Sequence, residues 1–418
     1  MRRALAALAL SALAVVGGGH AASAVQATPH AVAGATVAQD EIFPRPAGST
    51  FTFAGHGLGH GIGMSQYGAY GAALKGLTWP RILEGYYPGT TRVWQGNPRL
   101  KVRLTALGSS SLTVIGAPGL RFTDGVHTVT LPTSADQYRV VPERGGITLQ
   151  WRVGGAWISS TGWRAWTSSA FGFSNPTTKT VRTVLPSGIR RDYRDTVRAW
   201  PSGSGVLSVN DVSTEAYLWS VIPAEMPPSW SVEAVRAQAV AARTYASYGR
   251  VTSTTTRYDT CDSTSCQVYK GVADYSSSGS RLSAWEHVAA TAAVTATGGV
   301  VLTSSGRPAL TMFSASNGGW TVKGSMPYLP SAADPHDGAA ATFPHSWSSS
   351  VAVTAVEASF PTVGTLRSID VVSRDGNGEW GGRTQTVRVV GSAGSSTVSA
   401  ETFKARLGLR SVWWTITS

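Results

Sequence analysis

The residues from Leu100 to Val209 form a run of short segments in which apolar and polar residues alternate. Alternation with a period of two is typical of β-strands that have one buried face. Turn-forming residues separate the segments throughout. The segments read KVRLTAL, SLTVIG, HTVTL, QYRVV, ITLQW, TVRAW and GVLSV. This region therefore predicts pieces of β-sheet or a β-sandwich.

Helical patterns lie on both sides of this region. Ser213 is a predicted N-cap for one helix and Ser231 for the next, which carries Glu233 in its first turn. The predicted helices are Met64–Leu74, Arg81–Tyr86, Asp211–Val221, Ser231–Tyr248, Glu286–Thr297 and Phe403–Leu407. The later predicted strands are Val300–Thr303, Ala309–Ser314, Thr365–Ser373, Gln385–Val390 and Val412–Ile416. Together they indicate an α+β fold that is rich in β-structure, with several short sheets.

The N-terminus carries the pattern of a secretory signal peptide over residues 1–24. Arg2 and Arg3 precede an apolar run from Ala4 to Val16, and Ala22-Ser23-Ala24 is a cleavage site of the A-x-A kind. The alternative is a membrane anchor, but the run is short for one. We therefore expect an exported protein whose mature form is not embedded in a membrane.

Composition divides the remaining chain. Residues 25–48 lack periodicity and predict a linker or disordered arm. We expect a glycine-rich segment over 49–98, a β-rich subdomain over 99–210 and a third region, with helices at its start, over 211–418. With 42% hydrophobic residues and 15 Trp among 418 residues, the chain can bury a substantial core.

The formal net charge of +12 indicates attraction to polyanions. For an exported protein these are wall polymers and anionic lipids. Lysine and arginine do not cluster in any one run, which argues against a nucleic-acid partner.

Three prolines lie within three residues of Glu225 in the sequence, namely Pro223, Pro227 and Pro228. Proline fixes its own φ and restricts the preceding residue, so we expect Glu225 in a stiff turn between two helices. A carboxyl group held among apolar neighbours such as Met226 is a candidate proton donor near neutral pH. The alternative is a helix-connecting loop with one solvated glutamate.

Two arginines follow on the second helix. Arg236 and Arg243 are seven residues apart, so they lie on nearly the same side. They could hold a carboxylate together, or they could form a solvated basic face.

The segment GHGLGHGIGMSQ combines histidines with a glycine at every second position from Gly55 to Gly63. The glycines exclude a regular helix and let the backbone approach another group closely. His56 and His60 therefore do not share a helical face, as zinc ligands with this spacing would. A loop that presents histidine to a substrate or to a buried hydrogen bond is the favoured interpretation.

Cys261 and Cys266 are the two cysteines of the chain. Two cysteines make an incomplete zinc site, and an exported location favours a local disulfide.

Five blocks of the sequence resemble the sporulation protein D (SpoIID)/LytB amidase-enhancer family. They cover the chain from about Ser49 to its end, with weaker matching in the β-rich middle. The blocks are YLWSVIPAEMPPSWSVEAVRAQAVAARTYA, CDSTSCQVYKG, TATGGVVLTSSGRPALTMFSASNGGWT, FKARLGLRSVWWTI and GHGLGHGIGMSQYGAYGAALKG with its YYPGT.

The resemblance implies peptidoglycan chemistry. Members that are lytic transglycosylases cut glycan strands stripped of peptides, and their catalytic glutamate falls on Glu225. The resemblance therefore makes residues 211–418 the expected catalytic core. A required arginine falls on Arg243. Contacts to the glycan would come from Arg236, Gln238, Tyr245, His56, His60, Gln66, Ser316, Asn317, Gly318 and Gly319. The LytB-like branch implies the alternative, a non-catalytic enhancer that works with a wall amidase.

The sequence departs from the family pattern in two places. The GHGxGMSQ block usually lies near the C-terminus, and here it comes first, so the order resembles a circular permutation. This predicts that strand Phe51–Phe53 lies beside Val412–Ile416. Some relatives bind zinc in the loop that matches CDSTSC, but Ser265 stands where a histidine ligand is expected. We therefore expect a disulfide between Cys261 and Cys266 and no metal or other cofactor.

Overall fold

A computed structural model describes residues 37–165, 169–339 and 344–418. The predicted signal peptide and the first part of the predicted arm, residues 25–36, lie outside this range. The described chain is α+β, with seven α-helices and several separate sheets.

The strands, in chain order, are β1 Val37–Pro44, β2 Thr50–His56, β3 Met64–Ser65, β4 Thr91–Trp94, β5 Arg99–Arg103, β6 Leu112–Ile115, β7 Arg121–Thr123, β8 Thr128–Thr130, β9 Gln137–Glu143, β10 Gly146–Val153, β11 Ala156–Ala165, β12 Phe171–Ser174, β13 Thr180–Val184, β14 Arg190–Arg194, β15 Thr196–Ser202, β16 Gly205–Ser213, β17 Thr260–Cys261, β18 Ala273–Tyr275, β19 Arg281–Ala284, β20 Val300–Ser304, β21 Arg307–Pro308, β22 Phe313–Ser314, β23 Ser346–Ala352, β24 Leu366–Arg374, β25 Thr384–Gly391, β26 Gly394–Ser399 and β27 Trp414–Ile416. The helices are α1 Gln66–Leu74, α2 Trp79–Tyr86, α3 Thr214–Glu225, α4 Val232–Thr252, α5 Val288–Ala296, α6 Val353–Ser359 and α7 Ala400–Leu407.

Two large sheets form the β-rich middle of the chain. One has the order β17-β5-β16-β15-β12-β7-β8, and the other has the order β11-β10-β9-β6-β13-β14-β18-β19. Strands β17, β18 and β19 come from beyond residue 210, and one hydrophobic core joins both sheets to α3, α4 and α5. The β-rich region is therefore built together with part of the predicted catalytic core.

The predicted arm contains a strand. β1 pairs antiparallel with β24 at the edge of a four-stranded sheet, so the prediction of a linker was wrong for Val37–Pro44. Arg374, which is fully buried, pairs with Glu41 through two contacts of 2.8 Å. A buried guanidinium needs an anionic partner, and β1 supplies it.

The strands near the two ends of the chain are adjacent, as predicted. β2 lies between β23 and β27, and Phe53 is opposite Ile416 in the antiparallel register. Phe53 also contacts the buried Trp414, with ring centroids 5.2 Å apart. This confirms the predicted neighbours, and the circular permutation remains a prediction.

A separate hydrophobic core holds α1 and α2 against the middle of α4. Ala237 and Ala241 are fully buried there, and their small side chains let the helices approach closely. Val232, the first residue of α4, is 52% exposed. Within the described residues, none of the helices has the length and apolar character needed to cross a membrane.

Candidate functional site

Glu225 is the last residue of α3, so the expectation of a turn between two helices needs correction. Pro223 lies inside the helix, because its φ suits a helix and only one backbone hydrogen bond is lost. The helix ends at Met226, which is extended (φ −139°, ψ 136°), as expected for a residue that precedes a proline. The Glu225 backbone is thus fixed from both sides.

The Glu225 side chain is half-buried, and its Oε1 accepts a 2.9 Å hydrogen bond from the Val268 backbone N–H. Burial raises the pKa of Glu225, and the Val268 N–H offsets part of that rise. The charge of Glu225 also helps to raise the pKa of Tyr245, after burial, which places this half-buried tyrosine near the carboxylate. Among the described residues, none of the other carboxylates is hydrogen-bonded to this side chain.

The loop that delivers the Val268 N–H contains a disulfide between Cys261 and Cys266. Its next residue, Gln267, is buried and accepts a 3.1 Å hydrogen bond from the Tyr217 hydroxyl. Gln267 also donates to the Ala242 carbonyl of α4 at 3.3 Å. Val268 is therefore held by α3 and α4.

Gln66 connects the glycine-rich segment to Glu225 at the end of α3. Its Nε2 donates a 3.0 Å hydrogen bond to the Glu225 carbonyl. Ser65 caps α1 by accepting from the Gly68 N–H at 2.9 Å, which fixes Gln66 as the first residue of that helix. The structure thus brings Gln66, Glu225 and Tyr245 together.

Asp337 joins the glycine-rich segment to residues 316–319. Its buried carboxylate accepts from Ser65 at 2.8 Å, from the Ser316 hydroxyl, and from the Asn317 N–H at 2.7 Å. His345 Nδ1 lies 3.1 Å from the same carboxylate. Burial alone would raise the pKa of Asp337, but the hydrogen bonds from His345, Ser65 and Ser316 lower it overall.

The side chains of Ser316 and Asn317, which were expected to bind glycan, form hydrogen bonds within the protein. Ser316 and Asn317 are 1% and 0% exposed, and Asn317 Nδ2 donates to Asp334 at 2.7 Å. In this conformation both side chains position the loop and do not face solvent.

The glycines allow a close approach, as predicted, and the two segments that approach each other are the loop of Gly57 and the loop of Gly318. A β-carbon on Gly318 (φ +72°) would lie 2.7 Å from the His56 β-carbon, and one on Gly57 (φ +78°) would lie 2.9 Å from the Ser316 carbonyl. A residue with a side chain would be strained at either place. Gly319 (φ +100°) faces the His345 ring. The glycines let the two loops lie against each other.

The two histidines serve different environments. His56 Nε2 lies 2.8 Å from Glu379 Oε2, and its ring stacks on Trp380 with centroids 4.6 Å apart. His60 is exposed, and its Nδ1 accepts from the Ile62 N–H at 3.0 Å. Within the described residues, no group of three or more His, Cys, Asp or Glu side chains is arranged to hold a metal ion.

Arg243 lies inside the protein and does not face a substrate, contrary to our expectation. It is 1% exposed and forms a two-pronged pair with Glu215 at 2.7 and 2.8 Å. It also donates to the carbonyls of Val294 and Val300. A solvated basic face is therefore excluded as well, and Arg243 ties together α3, α4, α5 and β20.

Neither of the two remaining candidates on α4 is hydrogen-bonded to the Glu225 carboxylate, whose partner among the described residues is the Val268 N–H. Arg236 is half-buried and pairs with Glu233 one turn earlier at 2.6 Å. Gln238 is fully buried, and its amide has no hydrogen-bond partner among the described residues.

The sequence patterns did not predict an aromatic cluster formed by Tyr67 and Tyr70 of α1 with Trp230. Trp230 stacks on Tyr70 with centroids 4.5 Å apart and planes at 9°, and the Tyr67 ring packs edge-to-face with Trp230, with centroids 4.7 Å apart. All three rings are half-buried. The available signal was the i, i+3 spacing of the tyrosines, which puts them on one face of α1 next to Gln66.

Comparison with known proteins matches residues 202–304 to the model of a family described as "Stage II sporulation protein" (SpoIID). An uncharacterised protein of Brachyspira hyodysenteriae is 38% identical over 81 residues, which are 19% of this chain and 22% of that protein. The Amidase enhancer of Bacillus subtilis is 58% identical over 43 residues, 10% of this chain and 6% of that protein.

Stage II sporulation protein D of the same bacterium is 51% identical over 43 residues, 10% of this chain and 12% of that protein. The matched segments therefore span less than a quarter of each relative. Since residues 202–304 include α3, α4 and the disulfide loop, the match falls on the elements that hold Glu225. Residues 202–304 of this chain therefore match the SpoIID family, and shorter segments match proteins named Amidase enhancer and Stage II sporulation protein D.

Proposed function

We propose that this protein is an exported peptidoglycan lytic transglycosylase with Glu225 as its acid and base. The observation that carries the proposal is the Glu225 carboxyl group, which is half-buried, has a raised pKa and is rigidly held by a helix end and the Val268 N–H. A carboxylic acid that keeps its proton towards neutral pH can protonate a leaving group. The disulfide is consistent with an exported location.

The reaction needs one carboxyl group. Glu225 donates its proton to the glycosidic oxygen between N-acetylmuramic acid and N-acetylglucosamine, and the bond from this oxygen to the muramic C1 breaks. Positive charge develops on the muramic ring, as in other glycoside cleavage. The muramic C6 hydroxyl attacks C1 and gives its proton to the Glu225 carboxylate. The products are a 1,6-anhydro end and a free hydroxyl on N-acetylglucosamine.

The neighbours of Glu225 have supporting roles in this proposal. Gln66 fixes the main chain of Glu225, and Tyr245 lies close enough to sense its charge. The rings of Tyr67, Tyr70 and Trp230 offer apolar surface to a sugar. Arg243 acts as a positioning residue, because it holds α3 through Glu215.

The test is digestion of intact and peptide-stripped peptidoglycan by the wild type and by Glu225→Gln, with end groups identified by mass spectrometry. We expect anhydro ends from the wild type and a loss of at least about 100-fold in the variant. Glu84→Gln is the matched control, since that carboxylate lies on the surface of α2. Anhydro ends formed by Glu225→Gln at the wild-type rate would overturn the catalytic assignment.

The match to the Amidase enhancer supports a second candidate, a non-catalytic module that binds glycan and stimulates a wall amidase. In that case Glu225→Gln would still stimulate an added amidase, and the protein alone would release no anhydro ends. Measuring both readouts on the same preparations separates the two functions.

A further inference from the structure

A cavity of about 440 Å³ lies on the seven-stranded sheet, on elements that do not hold Glu225. Lys101 of β5 lines it together with Arg198 and Trp200 of β15. These side chains point away from the core, because Val102 and Ala199, their neighbours in the two strands, are fully buried. The cavity therefore opens to solvent.

One wall of the cavity is the tight turn between β7 and β8. Asp124 in this turn accepts from the backbone N–H groups of Val126 at 2.9 Å and His127 at 2.7 Å. The opposite wall includes Arg257, whose Nη1 donates to the Pro201 carbonyl at 3.0 Å. Both walls are thus held by hydrogen bonds within the protein.

Three cations, Lys101, Arg198 and Arg257, and two anions, Asp124 and Asp211, line the cavity. Asp211, opposite Lys101 in the register, is neutralised by Arg99 at 2.6 Å and by Arg198 at 3.1 Å. Asp259 accepts from the Lys101 backbone N–H at 2.8 Å.

Lys101 itself donates from Nζ to a neutral acceptor, the Thr256 carbonyl, at 2.8 Å. A cation bound to a carbonyl oxygen keeps its charge available for an anionic ligand.

Trp200 adds an aromatic surface to this charged cavity. The Arg257 guanidinium lies 5.8 Å from its ring centroid. An indole ring beside cations suits a ligand that has both an apolar ring face and anionic groups. Sugars with carboxylates or phosphodiesters have this chemistry, and the net charge of +12 attracts polymers of them.

We propose that this cavity binds an anionic sugar polymer and holds the protein on it, independently of the Glu225 site. The anion pairs with Lys101 and with the guanidinium groups of Arg198 and Arg257, while a sugar ring lies against Trp200. The anion comes either from phosphodiester polymers attached to the wall or from carboxylates of the peptidoglycan itself.

The experiment measures co-sedimentation of the full chain with wall preparations. All proteins carry Glu225→Gln, so that proposed cleavage does not consume the ligand and its failure cannot affect the result. The test variants are Lys101→Glu and the pair Lys101→Gln/Trp200→Leu. Arg281→Gln, an exposed cation on β19, is the control.

We expect the affinity of both test variants to fall at least about fivefold, with circular dichroism spectra unchanged, while the control binds normally. Loss of binding by the protein that carries Glu225→Gln alone, after hydrofluoric acid removes phosphodiester polymers, would assign the anion to them, and retained binding would assign it to peptidoglycan carboxylates. Lys101→Glu changes a half-buried side chain whose head group lies at the solvent-facing cavity, and it is expected to fold even if the Trp200 variant does not. Unchanged binding by a folded Lys101→Glu variant would overturn the proposal.

Discussion

The Gln66 side-chain amide donates a 3.0 Å hydrogen bond to the backbone carbonyl of Glu225, 159 residues further along the chain. This carbonyl belongs to the last turn of α3, where intrahelical donors are missing. The bond therefore satisfies a helix end and at the same time fixes the distance between α1 and the candidate acid.

Replacing Gln66 by Ala should loosen this end of α3. We expect a loss of about 1 kcal/mol in the free energy of unfolding, the usual value of one hydrogen bond. Turnover should fall more strongly, by up to about 100-fold, if Glu225 is displaced. Urea unfolding and anhydro-end release measure the two effects. Gln385→Ala, which changes an exposed residue of β25, should alter neither.

Glu225→Gln should increase thermal stability at neutral pH. Burial raises the folded-state pKa of Glu225 above its ordinary value of 4.5, so ionisation costs more in the folded than in the unfolded protein. The wild type therefore loses stability as pH rises from about 4.5 through the raised pKa.

The glutamine keeps an oxygen for the Val268 N–H and carries no charge. Melting curves should coincide near pH 4 and separate in favour of the variant at pH 8. A wild type that is more stable than the variant at pH 8 would mean that the carboxylate is not penalised by burial.

Arg243→Met should destabilise the protein by about 3–5 kcal/mol, because it leaves Glu215 buried without its partner. The double variant Arg243→Met/Glu215→Leu should recover part of this loss. If Arg243 only positions α3, the folded double variant should keep measurable production of anhydro ends. Complete inactivity with restored stability would instead assign Arg243 a direct role in the reaction.

Gly318→Ala tests the contact between the two glycine-containing loops. Gly89 is the matched control: its φ of +77° is close to the +72° of Gly318, but a β-carbon there would meet nothing within 4 Å. Both variants should lose stability, because alanine is strained at a positive φ. Gly318→Ala should cost about 1–3 kcal/mol more, because its methyl group overlaps His56. Equal losses in chemical denaturation would show that the loops can separate without cost.

Trp230→Ala should weaken glycan binding through loss of the ring that stacks on Tyr70. A stacking contact of about 0.5–1.5 kcal/mol predicts a rise in KM of up to about tenfold with a smaller change in kcat. Trp94→Ala removes a 74% exposed ring elsewhere and should leave KM unchanged. A fall in kcat alone would indicate that Trp230 supports Glu225 and does not contact sugar.

Local patterns were sufficient to predict the seven alternating strands, the Ser213 cap and the two longest helices. They failed at β14, where the sequence RRDYR hides its alternation because Arg191 is compensated by Asp274 of a neighbouring strand at 2.7 Å. They also failed at β1, because Glu41 of this strand pairs with the buried Arg374, which is 333 residues away in the sequence.

For the candidate site, the prolines around Glu225 indicated a rigid carboxyl group. The Val268 N–H and the Asp337 carboxylate were out of reach, because a backbone donor has no side-chain signature and Asp337 stands in no recognisable motif. Arg243 shows the opposite failure. Its spacing was correct, but burial depends on α5 and β20, which lie more than 40 residues away in the sequence.

The position of β2 between β23 and β27 also determines when, during synthesis and folding, this part of the structure can form. The glycine-rich segment that follows β2 is made early, yet Gly57 receives its hydrogen bond from Trp347, 290 residues later, and Thr52 receives one from Thr417, 365 residues later. Contacts so distant in sequence form slowly, since the loop must close before they can stabilise anything. A nascent or truncated chain that lacks β23 and β27 therefore carries both Glu225 and the glycine-rich segment, but this segment is not yet held in place, and it becomes fixed only when the last strand has formed.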